Sequence, residues 1–97
     1  MKLVWSPYAL LDRDAIFSHI EVDNPRAAVH VDERIVAAVR RLIEFPESGR
    51  PGRIAGTREL VIPRTPYIAA YLVSLETVRI LRVLHGAQIW PEYIDPA

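Results

Sequence analysis

The stretch that most constrains this chain is Gly56–Pro91, GTRELVIPRTPYIAAYLVSLETVRILRVLHGAQIWP. Three runs rich in β-branched and aromatic residues, Arg58–Ile62, Tyr67–Ser74 and Thr77–His85, are separated by turn chemistry: Pro63 and Thr65-Pro66, then the short Ser74–Glu76 link. Such residues suit a pleated, half-buried surface, and links this short join neighbouring antiparallel strands. The stretch predicts a β-meander on which the remaining chain must pack. Arg58, Glu59, Arg79, Arg82 and His85 fall inside these strands or at their ends, so the meander carries chemistry as well as shape. In the last run Val78, Ile80, Arg82 and Leu84 share one side by period-two alternation, and Arg79, Leu81, Val83 and His85 the other. Both sides are largely apolar, which marks a central strand. Arg82 and His85 reach a common face only if the chain bulges near Leu84–Gly86.

Lys2–Trp5 is a short apolar run that reads as a first strand joining the meander. Ser6-Pro7 pairs an N-cap with proline at the first helical position, where a missing N–H costs nothing. The helix that follows sets Ala9, Ile16, Phe17 and Ile20 on one stripe, leaves Asp12, Arg13 and Asp14 mainly exposed, and ends near Val22. Asn24-Pro25 repeats the cap-then-proline signal, and Ala28, Val31, Ile35, Ala38, Val39 and Leu42 recur at helical steps until Phe45-Pro46. Two helices joined by so short a link form an antiparallel hairpin. Glu47–Gly56, ESGRPGRIAG, holds three of the four glycines together with Arg50 and Arg53. It is either a mobile surface connection or a basic loop beside a binding groove. Beyond His85, Gly86 permits a bend, Ala87–Trp90 extend the last strand, and Glu92–Ala97 fray. The predicted architecture is α+β, in the order β-α-α-β-β-β, with a helical hairpin on one face of an antiparallel sheet and the other face uncovered.

The 97 residues suffice for one domain, spanning 1–97, with its own core. There is no cysteine, so neither a disulfide framework nor a thiolate metal site is available. His19 and His30 lie on helices with no third ligand nearby, and no metal or cofactor is expected. The N-terminal run is interrupted too early for a signal peptide, and no segment approaches the roughly 20 apolar residues of a membrane span. A soluble cytoplasmic protein with no membrane partner is therefore expected. Twelve cationic and twelve anionic side chains give zero formal charge, so a polyanion would have to be held by a local patch. Eleven of the twelve cations are arginine, a bias that either a GC-rich genome or a phosphate-binding role accounts for.

The order of elements, with the stretches VWSPYALLDRDAIFSHI, NPRAA, FPESGRPGRIAGTRELVI, TPYIAAY and VRILRVLHGAQIWP, resembles the RelE/ParE superfamily of toxins from type II toxin–antitoxin systems. The resemblance covers almost the whole chain and implies a cognate antitoxin as partner. It also implies one of two targets: DNA gyrase, inhibited by ParE-type members, or ribosome-bound mRNA, cut by RelE-type members. Metal-free RNA cleavage needs a base for the 2′-hydroxyl, cations on the phosphate and an acid for the leaving oxygen. For a nuclease, the resemblance implies Arg58 and Arg82 as phosphate clamps and His85 as general acid or base. Glu59 is a second acid–base candidate, Arg50 and Arg53 are loop contacts, and Trp90 is a protein-contact residue. Glu59 also has a simpler use, in a cross-strand ion pair with Arg79 or Arg82. The single lysine and the acids Asp12, Asp14, Glu21 and Asp23 along the first helix tilt the choice towards gyrase.

Overall fold

Both helices begin with the same device. In the computed structural model, which describes residues 1–96, α1 (Pro7–Glu21) follows Ser6, whose Oγ accepts from the Ala9 N–H at 3.1 Å. The second helix, α2 (Pro25–Arg40), follows Asn24, whose Oδ1 accepts from the Ala27 N–H at 3.1 Å. The two caps differ in what else they hold. Ser6 is fully buried; its hydroxyl donates to the Leu81 carbonyl at 2.8 Å, so the start of α1 is tied to a strand 75 residues later. Ser6→Ala should therefore cost about 1–3 kcal/mol, since it orphans a buried carbonyl and a helix N–H together. Asn24→Ala, at an exposed cap, should cost about 1 kcal/mol or less, an order that denaturant melts of the two variants will test.

The strands are β1 (Lys2–Trp5), β2 (Arg50–Pro51), β3 (Arg58–Val61), β4 (Tyr67–Val73) and β5 (Thr77–His85). They form one five-stranded sheet in the order β1-β5-β4-β3-β2. The expected α+β order holds with one strand added, since the short β2 forms within the stretch read as a loop, and the antiparallel part of the sheet runs from β2 to β5. At the far edge β1 lies parallel to β5, from Lys2↔Thr77 to Trp5↔Ile80, so the sheet is mixed rather than wholly antiparallel, and the chain between these two neighbours runs through the helical hairpin and then β2, β3 and β4. Tyr71, Val78, Ile80 and Val83 meet Ile35, Val39 and Leu42 beneath α2 in the main core. Only Ala9 of α1 is fully buried, and Tyr8, Leu10 and Leu11 remain exposed.

Four expectations need correction. The bulge lies at Leu81 rather than near Leu84–Gly86: pairing passes from Ala70↔Arg82 to Tyr71↔Ile80, leaving Leu81 without an opposite residue. Ile80 and Val83, three residues apart, thus both enter the main core, and simple alternation fails there. Next, β5 stops at His85 instead of running on through Ala87–Trp90. The Gln88 side chain accepts the His85 N–H at 2.9 Å and its own N–H returns to the His85 carbonyl at 3.2 Å, which turns the chain. Third, the tail does not fray throughout. Ile94 is 6 % exposed and joins Ala70 and Leu81 in a second small core, bordered by Ile54, Leu72 and Trp90; Ala97 lies outside the described residues. The face expected to be open is therefore partly roofed by the 50–56 loop and the C-terminal segment. Finally, Asp12 is not a solvent-facing residue, as described next.

Candidate functional site

The short β1 ends opposite Ile80, so the edge of β5 beyond that point is left to α1. Asp12, one turn into α1, fills it. Its carboxylate accepts the Val83 N–H at 2.9 Å and holds both Nε and Nη2 of Arg82 at 2.7 and 3.0 Å. Donation to the Asp12 carboxylate raises the Arg82 pKa further, so the guanidinium stays charged and paired. Arg13 is similarly forked onto Asp32 of α2 at 2.9–3.0 Å, with its guanidinium 4.7 Å from the Trp5 ring centre.

Glu59 is the centre of a second group, on the sheet face turned away from the helices. Its side chain is 3 % exposed and accepts from Arg50 (Nη2, 3.0 Å), from Arg53 (Nε, 3.0 Å) and from the Arg53 backbone N–H (2.8 Å). Burial alone would raise the carboxyl's pKa, but these donors outweigh it and hold it below the ordinary value. Arg53 also lies 3.8 Å over the Trp90 ring, and Trp90 Nε1 donates to the His85 carbonyl at 3.3 Å. Loop, strand β3 and C-terminal segment are thus clasped by one carboxylate and one guanidinium.

Arg58 belongs to neither group. It stands opposite Tyr71, on the helix side of the sheet, and its Nη1 donates to the Gly49 carbonyl at 2.8 Å and the Glu47 carbonyl at 3.3 Å. Tyr71, fully buried, takes the Gly49 N–H at 2.9 Å and gives its proton to the Pro46 carbonyl at 2.8 Å. Burial raises its phenol pKa, which keeps it a donor at neutral pH. A Cβ at residue 49 would lie 2.5 Å from that hydroxyl, so Gly49 is required for the approach. His85 sits at the end of β5 against Tyr67, edge to face at 5.7 Å, with Nδ1 accepting the Ala87 N–H at 3.0 Å. A neutral His85 ring therefore carries its proton on Nε2.

Of the residues singled out by sequence, Glu59, Arg50, Arg53 and Trp90 are brought together. Arg58, Arg82 and His85 are not. Register sets Arg58 opposite Tyr71 on β3, Arg82 opposite Ala70 and on Asp12, and His85 three residues further along β5. Sequence reasoning missed Asp12 as a partner of β5, and no local spacing signals that contact because it joins residues 70 apart. Among the described residues no group of three or more histidines and carboxylates is placed to hold a metal, and no helix is long and apolar enough to cross a membrane.

A family model described as the ParE toxin of the type II toxin–antitoxin system, parDE, matches residues 3–90. The chain belongs to the ParE toxin family. It is 47 % identical over 93 residues, 96 % of either chain, to the "Putative toxin Y4kP" of Sinorhizobium fredii. It is 38 % identical to Toxin RelE2 of Caulobacter vibrioides, over 91 % of this chain and 98 % of that one. The chromosomal ParDE toxin–antitoxin system from P. aeruginosa supplies a solved structure with a TM-score of 0.79 and 34 % identity, covering 86 % of this chain and 92 % of its match. The ParE-family chain described here is accordingly a type II toxin, and such a system implies a cognate antitoxin as its partner.

Proposed function

We propose that this ParE-family toxin arrests growth by binding DNA gyrase rather than by cutting RNA. The observation that carries the reading is the engagement of the groups a nuclease would need. Arg82 is forked onto Asp12 through Nε and Nη2, and Arg50 and Arg53 converge on Glu59, while Arg58 commits one nitrogen, Nη1, to two loop carbonyls. A guanidinium already paired with a carboxylate has its charge neutralised before a phosphate arrives, and a general base requires a carboxylate with free lone pairs. Glu59, already an acceptor from two arginines and a backbone N–H, fits a structural clasp better than a proton shuttle. A protein target makes no such demand on these residues.

A second reading, ribosome-dependent cleavage of mRNA, is favoured by one observation, the 38 % identity to Toxin RelE2. Purified toxin separates the two. It is expected to inhibit DNA supercoiling by gyrase in vitro and to leave translated mRNA uncut. Cleavage at defined codon positions on ribosomes, with supercoiling untouched, would reverse the assignment. His85 gives an independent check, since its imidazole makes no ion pair with a described residue. Growth arrest by His85→Ala toxin should match that of the wild type, whereas loss of a catalytic acid or base would slow cleavage by about 10²–10⁴.

A further inference from the structure

Over its opening turns α1 is inverted. Tyr8, Leu10 and Leu11 are exposed, Leu11 by 66 %, while the neighbouring Asp12 and Arg13 turn inward and are half-buried. Only Ala9 is fully buried, with Ile16 and Ile20 packed in part against the main core. What fastens the start of this helix is polar: Ser6 on the Leu81 carbonyl, Asp12 on Arg82 and the Val83 N–H, and Arg13 on Asp32. A helix docked only by an apolar stripe carries its charges outside and its large apolar groups inside, the reverse of what is found here.

Two stripes make up the outer surface. Tyr8, Leu11 and Ala15 recur at i, i+3 and i+7, and Leu10, Asp14 and Phe17 recur at i, i+4 and i+7 beside them. The second stripe borders a shallow hollow of about 320 Å³, completed by Arg13 and Asp32. The charge around this surface is negative. None of Asp14, Glu21 and Asp23 makes an ion pair with a described residue, and the exposed Arg26 at the start of α2 offsets only one of them. Ties to both β5 and α2 hold the helix in place before any partner arrives, so little ordering entropy is left to lose on binding.

We infer that the outer face of α1 is the surface by which this toxin docks on DNA gyrase, an inference that rests on the gyrase reading and gives it residues. Its counterpart on the enzyme is an apolar depression edged by lysine or arginine. Tyr8 and Leu11 fill the depression, and Asp14 meets the cations. Charge favours this occupant. An enzyme that grips and passes duplex DNA must carry cationic surface to hold phosphates, and an acidic, apolar helix face complements such a surface. A second copy of this chain is disfavoured, since a two-fold contact through the same face would set acid against acid. An anionic lipid surface is disfavoured by the same acids.

The test uses the full-length toxin with intact gyrase and relaxed plasmid, and measures the toxin concentration that halves supercoiling. Three variants are needed: Tyr8→Gln/Leu11→Gln, Asp14→Arg, and Leu75→Gln as a control, because Leu75 is 99 % exposed in the turn before β5. The double variant is expected to need on the order of a hundredfold more toxin, and Asp14→Arg about tenfold more. Leu75→Gln should match the wild type. All three should keep wild-type affinity for the cognate antitoxin, and in cells the double variant should no longer arrest growth. Its Tm should not fall, because the replaced side chains already face water. Wild-type inhibition with no loss in either α1 variant would overturn the docking face and leave the gyrase reading standing. Equal loss in Leu75→Gln would overturn it too. So would α1 variants that keep inhibition while losing antitoxin binding or breaking a toxin dimer, since the face would then belong to those partners. Wild-type toxin without effect on supercoiling would remove the reading and the inference together. If the double variant does not fold, Asp14→Arg decides alone.

Discussion

Tyr71→Ala is expected to lower unfolding stability by about 3–5 kcal/mol, the largest effect foreseen for a single substitution in this chain. Tyr71 is the largest of the fully buried side chains and sits on the central strand, where it touches the core beneath α2. Truncation to alanine leaves a ring-sized cavity among residues that cannot collapse into it. It also strands the Pro46 carbonyl and the Gly49 N–H, which the phenol satisfies together. Tyr71→Phe isolates the second contribution, and its cost should be about 1–3 kcal/mol. Urea unfolding of the three proteins measures both, and a phenylalanine variant as stable as the wild type would show that the hydroxyl contributes nothing.

Glu59→Ala should cost about 2–3 kcal/mol, less than the full loss of a buried ion pair because Arg50 and Arg53 are exposed enough to be rehydrated once released. Damage should spread unevenly. Hydrogen exchange is expected to rise in the 50–56 loop and in the segment from His85 to Ile94, with α2 unaffected, since Arg53 and Trp90 carry the clasp between them. The same carboxylate gives a pH dependence of definite sign. Its folded pKa is lowered, so its contribution is fully present above the unfolded carboxylate value of about 4.3 and is lost as pH falls through the folded value. Wild-type stability should therefore decline on acidification through that window more steeply than that of Glu59→Gln. Parallel profiles for the two proteins would mean that Glu59 is not the group responsible.

Much of the fold was legible because its signals are local. Cap-then-proline pairs at Ser6-Pro7 and Asn24-Pro25 placed both helix starts, and the β-rich runs placed β3, β4 and the start of β5 to within a residue of their observed bounds. What escaped was non-local. The bulge at Leu81 arises from the mismatch of β5 with its neighbours, and one extra residue reverses every alternation argument beyond it. Asp12 reads as a surface acid on its own helix, and only the early end of β1 exposes the strand edge it fills. The loop Glu47–Gly56 was rightly seen as unusual, but composition cannot reveal that its arginines converge on a carboxylate within the neighbouring strand.

The pairing of β1 with β5 bears on when this toxin first comes into being during synthesis. The first strand emerges from the ribosome before any other element, yet the strand it pairs with is Thr77–Ile80. The buried hydroxyl that starts α1 likewise waits for Leu81, and Asp12 for Arg82 and Val83. Helices can form on the nascent chain beforehand, but the sheet edge, the cap and the main core all remain incomplete until β5 has been added. A product cut short anywhere before Thr77 lacks the strand that fastens both the first strand and the first helix. A toxin truncated before Thr77 is thus expected to be unfolded, and growth arrest to require synthesis through β5.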